Sequence, residues 1–184
     1  MYRLGVMGNQ HKKEYPPLLA EGLRPMRLDE LRRMCVDEFP NSQVRQKIMA
    51  GLERFVDRLL DIGIDESELW VDGSFLTSKE SPEDADLLLI APSHFLDAGT
   101  NEQIEVLEAL GDIQKKQAYR AEYLCDTHSV LEYPPSSILR VLSDATIAGF
   151  NEDFGHSYVT RDPKGIAVIA IKQPQAADAR GAGA

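Results

Sequence analysis

Residues 69–92 read LWVDGSFLTSKESPEDADLLLIAP, and their reading decides the fold. Two apolar segments flank a polar loop: residues 69–71 predict a short strand running into Asp72-Gly73-Ser74, and residues 86–90 predict a second strand ended by Pro92. Alternate residues of a strand point the same way, so Asp84 and Asp86 share a face, with Cα atoms roughly 6.5–7 Å apart. Two carboxylates that close raise one another's pKa unless a positive charge sits between them. The pattern therefore poses the question of which cation that is.

Working outward, residues 42–63 predict the clearest helix. Val44, Ile48, Leu52, Phe55 and Leu59 form its stripe, and Gly63 stands where a C-terminal cap is expected. A shorter helix is expected over residues 28–39. Thr100 and Gln103 have capping-box spacing ahead of Ile104, Leu107 and Leu110. A third strand is expected over residues 121–130, with Glu122, Leu124, Asp126 and His128 on one face. Pro134-Pro135-Ser136 opens a last helix with Ile138, Leu142, Ala145 and Gly149 as its apolar side, and residues 164–171, KGIAVIAI, predict a final strand. The order predicts an α/β (α+β) fold, a small mixed sheet covered by helices. Residues 1–27, with Pro16, Pro17 and Pro25, read as irregular, residues 28–172 as one domain, and residues 173–184 as a flexible tail.

The chain has 184 residues and a formal net charge of −10, which argues against gripping nucleic acid by phosphate neutralisation alone. Between Glu80 and Gln114 stand nine acidic residues and no Lys or Arg, which reads either as a solvated acidic face or, in part, as a divalent-cation site. Apolar runs are too short to cross a bilayer, and the N-terminal residues lack the pattern of a secretory signal. Cys35 and Cys125 stand apart with no metal-ligand spacing, as buried reduced thiols would in a cytoplasmic protein.

Mg²⁺ between Asp84 and Asp86 would turn their repulsion into attraction, because this hard ion takes one or two carboxylates from a protein and the rest of its oxygens from phosphate and water. Gly73 lets a phosphate approach the main chain closely, and Ser74 adds a hydroxyl donor. If the two segments are neighbouring strands, a cation site and an anion site share one cleft. Asp126, mid-strand, would complete a three-carboxylate cage suited to two metals; Glu122 takes that role if the register differs by two. Lys79 in the polar loop would reach a triphosphate or simply be solvated. Arg161 and Lys164 frame a turn, and none of His11, His94, His128 and His156 shows a catalytic partner in sequence. The blander reading of the whole stretch is a solvated hairpin loop whose last acids begin a strand.

The segment DGSFLTSKESPEDADLLLI resembles the signature of the nucleotidyltransferase superfamily with the DNA polymerase β-like fold: Gly and Gly or Ser, nine to thirteen residues, then Asp, apolar, Asp or Glu, apolar. Here Gly73-Ser74 is followed by nine residues and then Asp84-Ala85-Asp86-Leu87. The segments RLDELRRMCVDEF, VRQKIMAGL and FGHSYVTRDPKGIAVI also resemble a small, minimal bacterial branch of that superfamily. The resemblance implies transfer of a nucleoside monophosphate from an NTP, ATP foremost, to an acceptor hydroxyl. Asp84 and Asp86 would bind two Mg²⁺ ions (Mn²⁺ being the alternative). Asp126 would bind the catalytic metal and draw the acceptor proton, and Gly73 and Ser74 would hold the β- and γ-phosphates.

The short acidic chain favours a protein side chain or small molecule over nucleic acid as acceptor. By analogy with minimal relatives, a helical partner protein in a toxin–antitoxin or defence system fits its size. Two other classes stay open. One is an inactive relative serving as a binding module, antitoxin or complex subunit. The other is a metal hydrolase, which would want further His or acidic residues around its metals.

Overall fold

The structure, a computed structural model, describes residues 13–172. The expected tail at residues 173–184, the first part of the expected N-terminal segment, and His11 lie outside the described residues. The fold is mixed α/β, a five-stranded sheet covered by helices. Its elements are β1 (Gly22–Pro25), α1 (Leu28–Arg32), α2 (Gln43–Asp61), β2 (Ser67–Asp72), β3 (Ala85–Pro92), α3 (His94–Asp97), α4 (Asn101–Gly111), α5 (Lys116–Tyr123), β4 (Cys125–Glu132), α6 (Arg140–Phe154) and β5 (Gly165–Ile171). The sheet order is β1-β5-β2-β3-β4. β2 runs antiparallel to both β3 and β5, while β4 is parallel to β3 and β1 to β5.

The strands read as continuous apolar runs because both sheet faces are covered. Leu69, Val71, Leu87, Leu89, Ala167, Ile169 and Ile171 belong to the larger core with α2 and α4. Trp70, Leu88, Ile90, Val130, Ile166 and Val168 form the opposite face, where Ile147, Phe150 and Phe154 of α6 pack. The stripe expected on α2 is buried from Ile48 to Leu59, and Ser42 caps the helix by accepting from the Arg45 amide. The Thr100–Gln103 capping box is formed in both directions.

Four expectations are corrected. Residues 22–25 are not irregular: they form β1, an edge strand paired with β5, where Pro25 is tolerated because an edge needs fewer ladder donors. The expected third strand starts later, because residues 116–123 are the helix α5. Glu122 therefore lies exposed on that helix, its carbonyl accepting from Arg54, and does not share a strand face with Asp126. The expected helix 28–39 passes after Arg32 into a π-helical turn, Arg33–Asp37. The apolar side expected on the last helix faces outward: Ile138 is 90% and Leu142 62% exposed, while Ser143, Ile147, Phe150 and Phe154 face the sheet.

α5 crosses α2 at Gly51, where a Cβ would lie 1.8 Å from the Tyr123 carbonyl oxygen. Only glycine admits this approach, so Gly51 sets how near α5 lies to the sheet. Arg45 holds the segment after Gly73. Its guanidinium, fully buried, donates to the carbonyls of Cys35, Phe75, Thr77 and Lys79 and stacks 3.7 Å from the Phe39 ring centroid. Four acceptors, those of Cys35 and Phe75 buried and those of Thr77 and Lys79 partly so, thus depend on one side chain, and each orphaned buried acceptor costs about 1–3 kcal/mol. Arg45→Met is expected to lower unfolding free energy by about 3 kcal/mol or more, and Arg45→Lys to recover less than half of it. Urea denaturation measures both, and a loss below about 1 kcal/mol would show that the loop holds itself.

Candidate functional site

The sheet registers bring the acids into a row. Asp72 of β2 pairs with Asp86 of β3, and Asp86 pairs with Asp126 of β4. The alternation that puts Trp70, Leu88 and Val130 beneath α6 puts all three aspartates on that same face, at the strand ends. Neighbouring strands lie about 4.8 Å apart. Two unit charges about 5 Å apart repel by roughly 3 kcal/mol at an effective dielectric near 20. Cations set against such a row relieve that repulsion.

The structure supplies them from the chain itself. Lys164, expected only to frame a turn, sets its ammonium 2.7 and 2.8 Å from the two Asp72 oxygens in a buried pair. Burial pushes the Asp72 carboxyl up, and the Lys164 ammonium opposes that push. Arg120 of α5 reaches Asp84 Oδ2 at 2.5 Å and Asp126 Oδ2 at 3.7 Å, so one guanidinium joins two acids from different strand ends. Lys116, one turn earlier, donates to Asp126 Oδ1 at 3.0 Å and lies 3.5 Å from His128 Nε2. Burial first, then Lys116, holds the His128 imidazole below its ordinary value, and its ring rests 5.4 Å from Phe150.

The glycine–serine turn meets the same place. Gly73 has φ +85°, and a Cβ on it would lie 1.9 Å from Asp86 Oδ2 and 2.9 Å from its carboxyl carbon. The Asp86 carboxylate therefore rests against the bare Cα of Gly73, and any larger residue would displace it. Ser74 begins the 3₁₀ turn Ser74–Leu76, whose Phe75 and Leu76 are buried. Cys125 feels both Asp84 and Asp86: burial, then those two charges, raise its thiol to about 12. Cys35, likewise buried, is raised to about 12. Neither thiol is poised for nucleophilic chemistry.

Of the residues singled out in sequence, the structure brings together Gly73, Asp86 and Asp126 through register and contact, and Asp84 and Asp126 through Arg120. Lys79 is held by its carbonyl on Arg45 and is not among the cations pairing with Asp84 or Asp126. Arg161 pairs with Glu152, away from the row. Sequence reading missed Asp72, Lys116 and Arg120. Lys116 and Arg120 had a signal, four-residue spacing beside Tyr119 and Tyr123. Asp72 had only its place before Gly73, since its partner lies 92 residues away.

Among the described residues, no group of three or more His, Cys, Asp or Glu side chains is gathered so as to hold a metal ion. The carboxylates of Asp84 and Asp126 are turned instead onto Arg120 and Lys116, and that of Asp72 onto Lys164. Their chemistry still suits Mg²⁺: hard oxygen donors on rigid strand ends, two of them converging on one positive centre. Asp84, Asp86 and Asp126 are the residues that would hold it.

A family model described as Family of unknown function (DUF6932) matches residues 11–170, and the chain belongs to that family. No curated protein and no solved structure matched the chain significantly. No helix among the described residues is long and apolar enough to cross a membrane.

The Asp72–Lys164 pair yields a pH signature. In Lys164→Met the buried Asp72 loses its ammonium, so its folded-state pKa rises further above the unfolded value near 3.9. A raised acid favours the protonated fold. The deficit of about 3–5 kcal/mol expected at neutral pH shrinks as pH falls through that raised pKa. Asp72→Asn combined with Lys164→Met is expected to recover most of the stability without this dependence. Denaturant midpoints across the acid range check both, and a deficit that grows on acidification would contradict the assignment.

Proposed function

We propose that the chain is a metal-dependent nucleotidyltransferase of the polymerase β-like kind, moving a nucleoside monophosphate from an NTP, ATP foremost, to an acceptor hydroxyl with release of pyrophosphate. The observation that carries this reading is the seating of the Asp86 carboxylate on the bare Cα of Gly73, in register with Asp126. A turn able to approach phosphate and an acid able to hold a divalent ion thus share one point. In this reading Asp84, Asp86 and Asp126 hold Mg²⁺ (or Mn²⁺). The ion supplies charge neutralisation at the triphosphate and a more acidic acceptor hydroxyl. Gly73 and Ser74 bind the β- and γ-phosphates, and Asp126 accepts the acceptor's proton. The chain's own contribution is positioning by the rigid strand ends.

The acidic chain favours a protein side chain or small molecule as acceptor over nucleic acid. A helical partner protein, as in a toxin–antitoxin system, is part of this proposal by analogy with minimal relatives.

A second reading has its own observation. Arg120, Lys116 and Lys164 already neutralise Asp84, Asp126 and Asp72, so these acids need no metal to be tolerated. A fold kept as a binding module, without catalysis, would look like this.

Calorimetry with each NTP and Mg²⁺ separates the two. The enzyme reading expects metal-dependent binding that is lost in Asp84→Asn and Asp86→Asn, with both variants still folding cooperatively. Incubation with α-labelled NTPs and cell extract is expected to place label on a protein or small molecule. Absence of binding heat with any NTP would favour the module.

A further inference from the structure

Lys116 and Arg120 lie one turn apart on α5, so their side chains rise from one helical face toward the strand ends. Both are tied to carboxylates that the proposed function assigns to a divalent ion. Arg120 spans Asp84 and Asp126 unequally, at 2.5 and 3.7 Å, and Lys116 takes the other Asp126 oxygen at 3.0 Å. The Arg120 side chain is 41% exposed, so its outer edge is open to solvent at the mouth of the site. A cavity of about 220 Å³ lies there, lined by Glu83, Asp84, Gln117, Arg120, Ala121 and Leu124.

This arrangement opposes either component entering alone. A divalent cation on Asp84 and Asp126 meets Lys116 and Arg120 at close range. A polyphosphate meets Asp84, Asp86 and Asp126. Entering together, each finds its opposite. We propose that Lys116 and Arg120 are the polyphosphate-binding cations of this site. In the free protein they serve as internal counter-ions on Asp84 and Asp126, and they pass to the phosphate oxygens when a divalent ion takes those carboxylates. Metal and polyphosphate therefore bind as a coupled pair. The inference rests on the nucleotidyltransferase reading and adds to it the identity of the anion-binding cations and the coupling they impose on the ligands. No bond is made or broken in the exchange. Guanidinium–carboxylate and ammonium–carboxylate pairs are replaced by metal–carboxylate and cation–phosphate pairs, and the fork of Arg120 suits two phosphate oxygens as it suits two carboxylates.

Coupling of this kind is reciprocal: whatever factor polyphosphate adds to metal affinity, metal adds to polyphosphate affinity. The experiment titrates Mn²⁺ by electron paramagnetic resonance, with and without inorganic triphosphate as the anion probe. It uses wild-type protein, Arg120→Gln, Lys116→Gln and their combination. Wild type is expected to bind Mn²⁺ weakly alone and roughly tenfold or more tightly with triphosphate. The double variant is expected to bind Mn²⁺ alone more tightly than wild type does and to lose most of the triphosphate effect. Arg120→Lys, which keeps the charge but not the fork, is expected to fall between.

If the folded variants bind Mn²⁺ alone no better than wild type, while wild type still binds Mn²⁺ with NTP, the exchange is overturned and the nucleotidyltransferase reading stands. If wild type binds neither Mn²⁺ nor NTP under any of these conditions, both are overturned.

Discussion

Acids in register across neighbouring strands are the constraint around which this fold is arranged. Asp72, Asp86 and Asp126 stand in register on strands about 4.8 Å apart, where their charges repel, and the chain answers from two directions. Lys164, entering β5, meets Asp72 in a buried pair. Lys116 and Arg120, on α5, meet Asp126 and Asp84. The cation that the sequence pattern demands is therefore already present as protein side chains, and a metal would enter by exchange rather than by filling a gap.

The rest of the architecture serves that arrangement. Gly51 admits α5 against α2, which brings Lys116 and Arg120 within reach of the strand ends. Arg45, with no exposed surface, gathers the carbonyls of the segment following Gly73 and so fixes the turn on which the Asp86 carboxylate rests. The face that buries Trp70, Leu88 and Val168 beneath α6 continues into the polar strand ends. One sheet surface thus carries an apolar half that holds the fold and a charged half that carries the candidate site.

Much of this was legible in the sequence, for physical reasons. Apolar runs found β2 and β3, and helical periodicity found α2 and the Thr100 capping box, because these patterns are local. What was not legible depended on distant contacts. β1 was hidden by Pro25, a residue that discourages strands except at an edge. α5 was hidden because Ala121-Glu122-Tyr123 reads as the start of a strand until Gly51 shows where the backbone must pass. The buried side of α6 was misread because Ser143, polar in sequence, faces inward to donate to the Leu131 carbonyl, while Ile138 and Leu142 face out. The Asp72–Lys164 pair spans 92 positions, which no local pattern encodes.

The central claim is that Asp84, Asp86 and Asp126 form one site for a divalent ion carrying a polyphosphate. Anomalous diffraction from crystals soaked with Mn²⁺ and a non-hydrolysable NTP analogue tests it most directly. The account predicts a manganese peak at coordination distance from oxygens of these aspartates, with the triphosphate against Gly73-Ser74. A nucleotide bound elsewhere, or clear density for Arg120 still joined to Asp84 and Asp126 with no manganese beside them at saturating ligand, would contradict it.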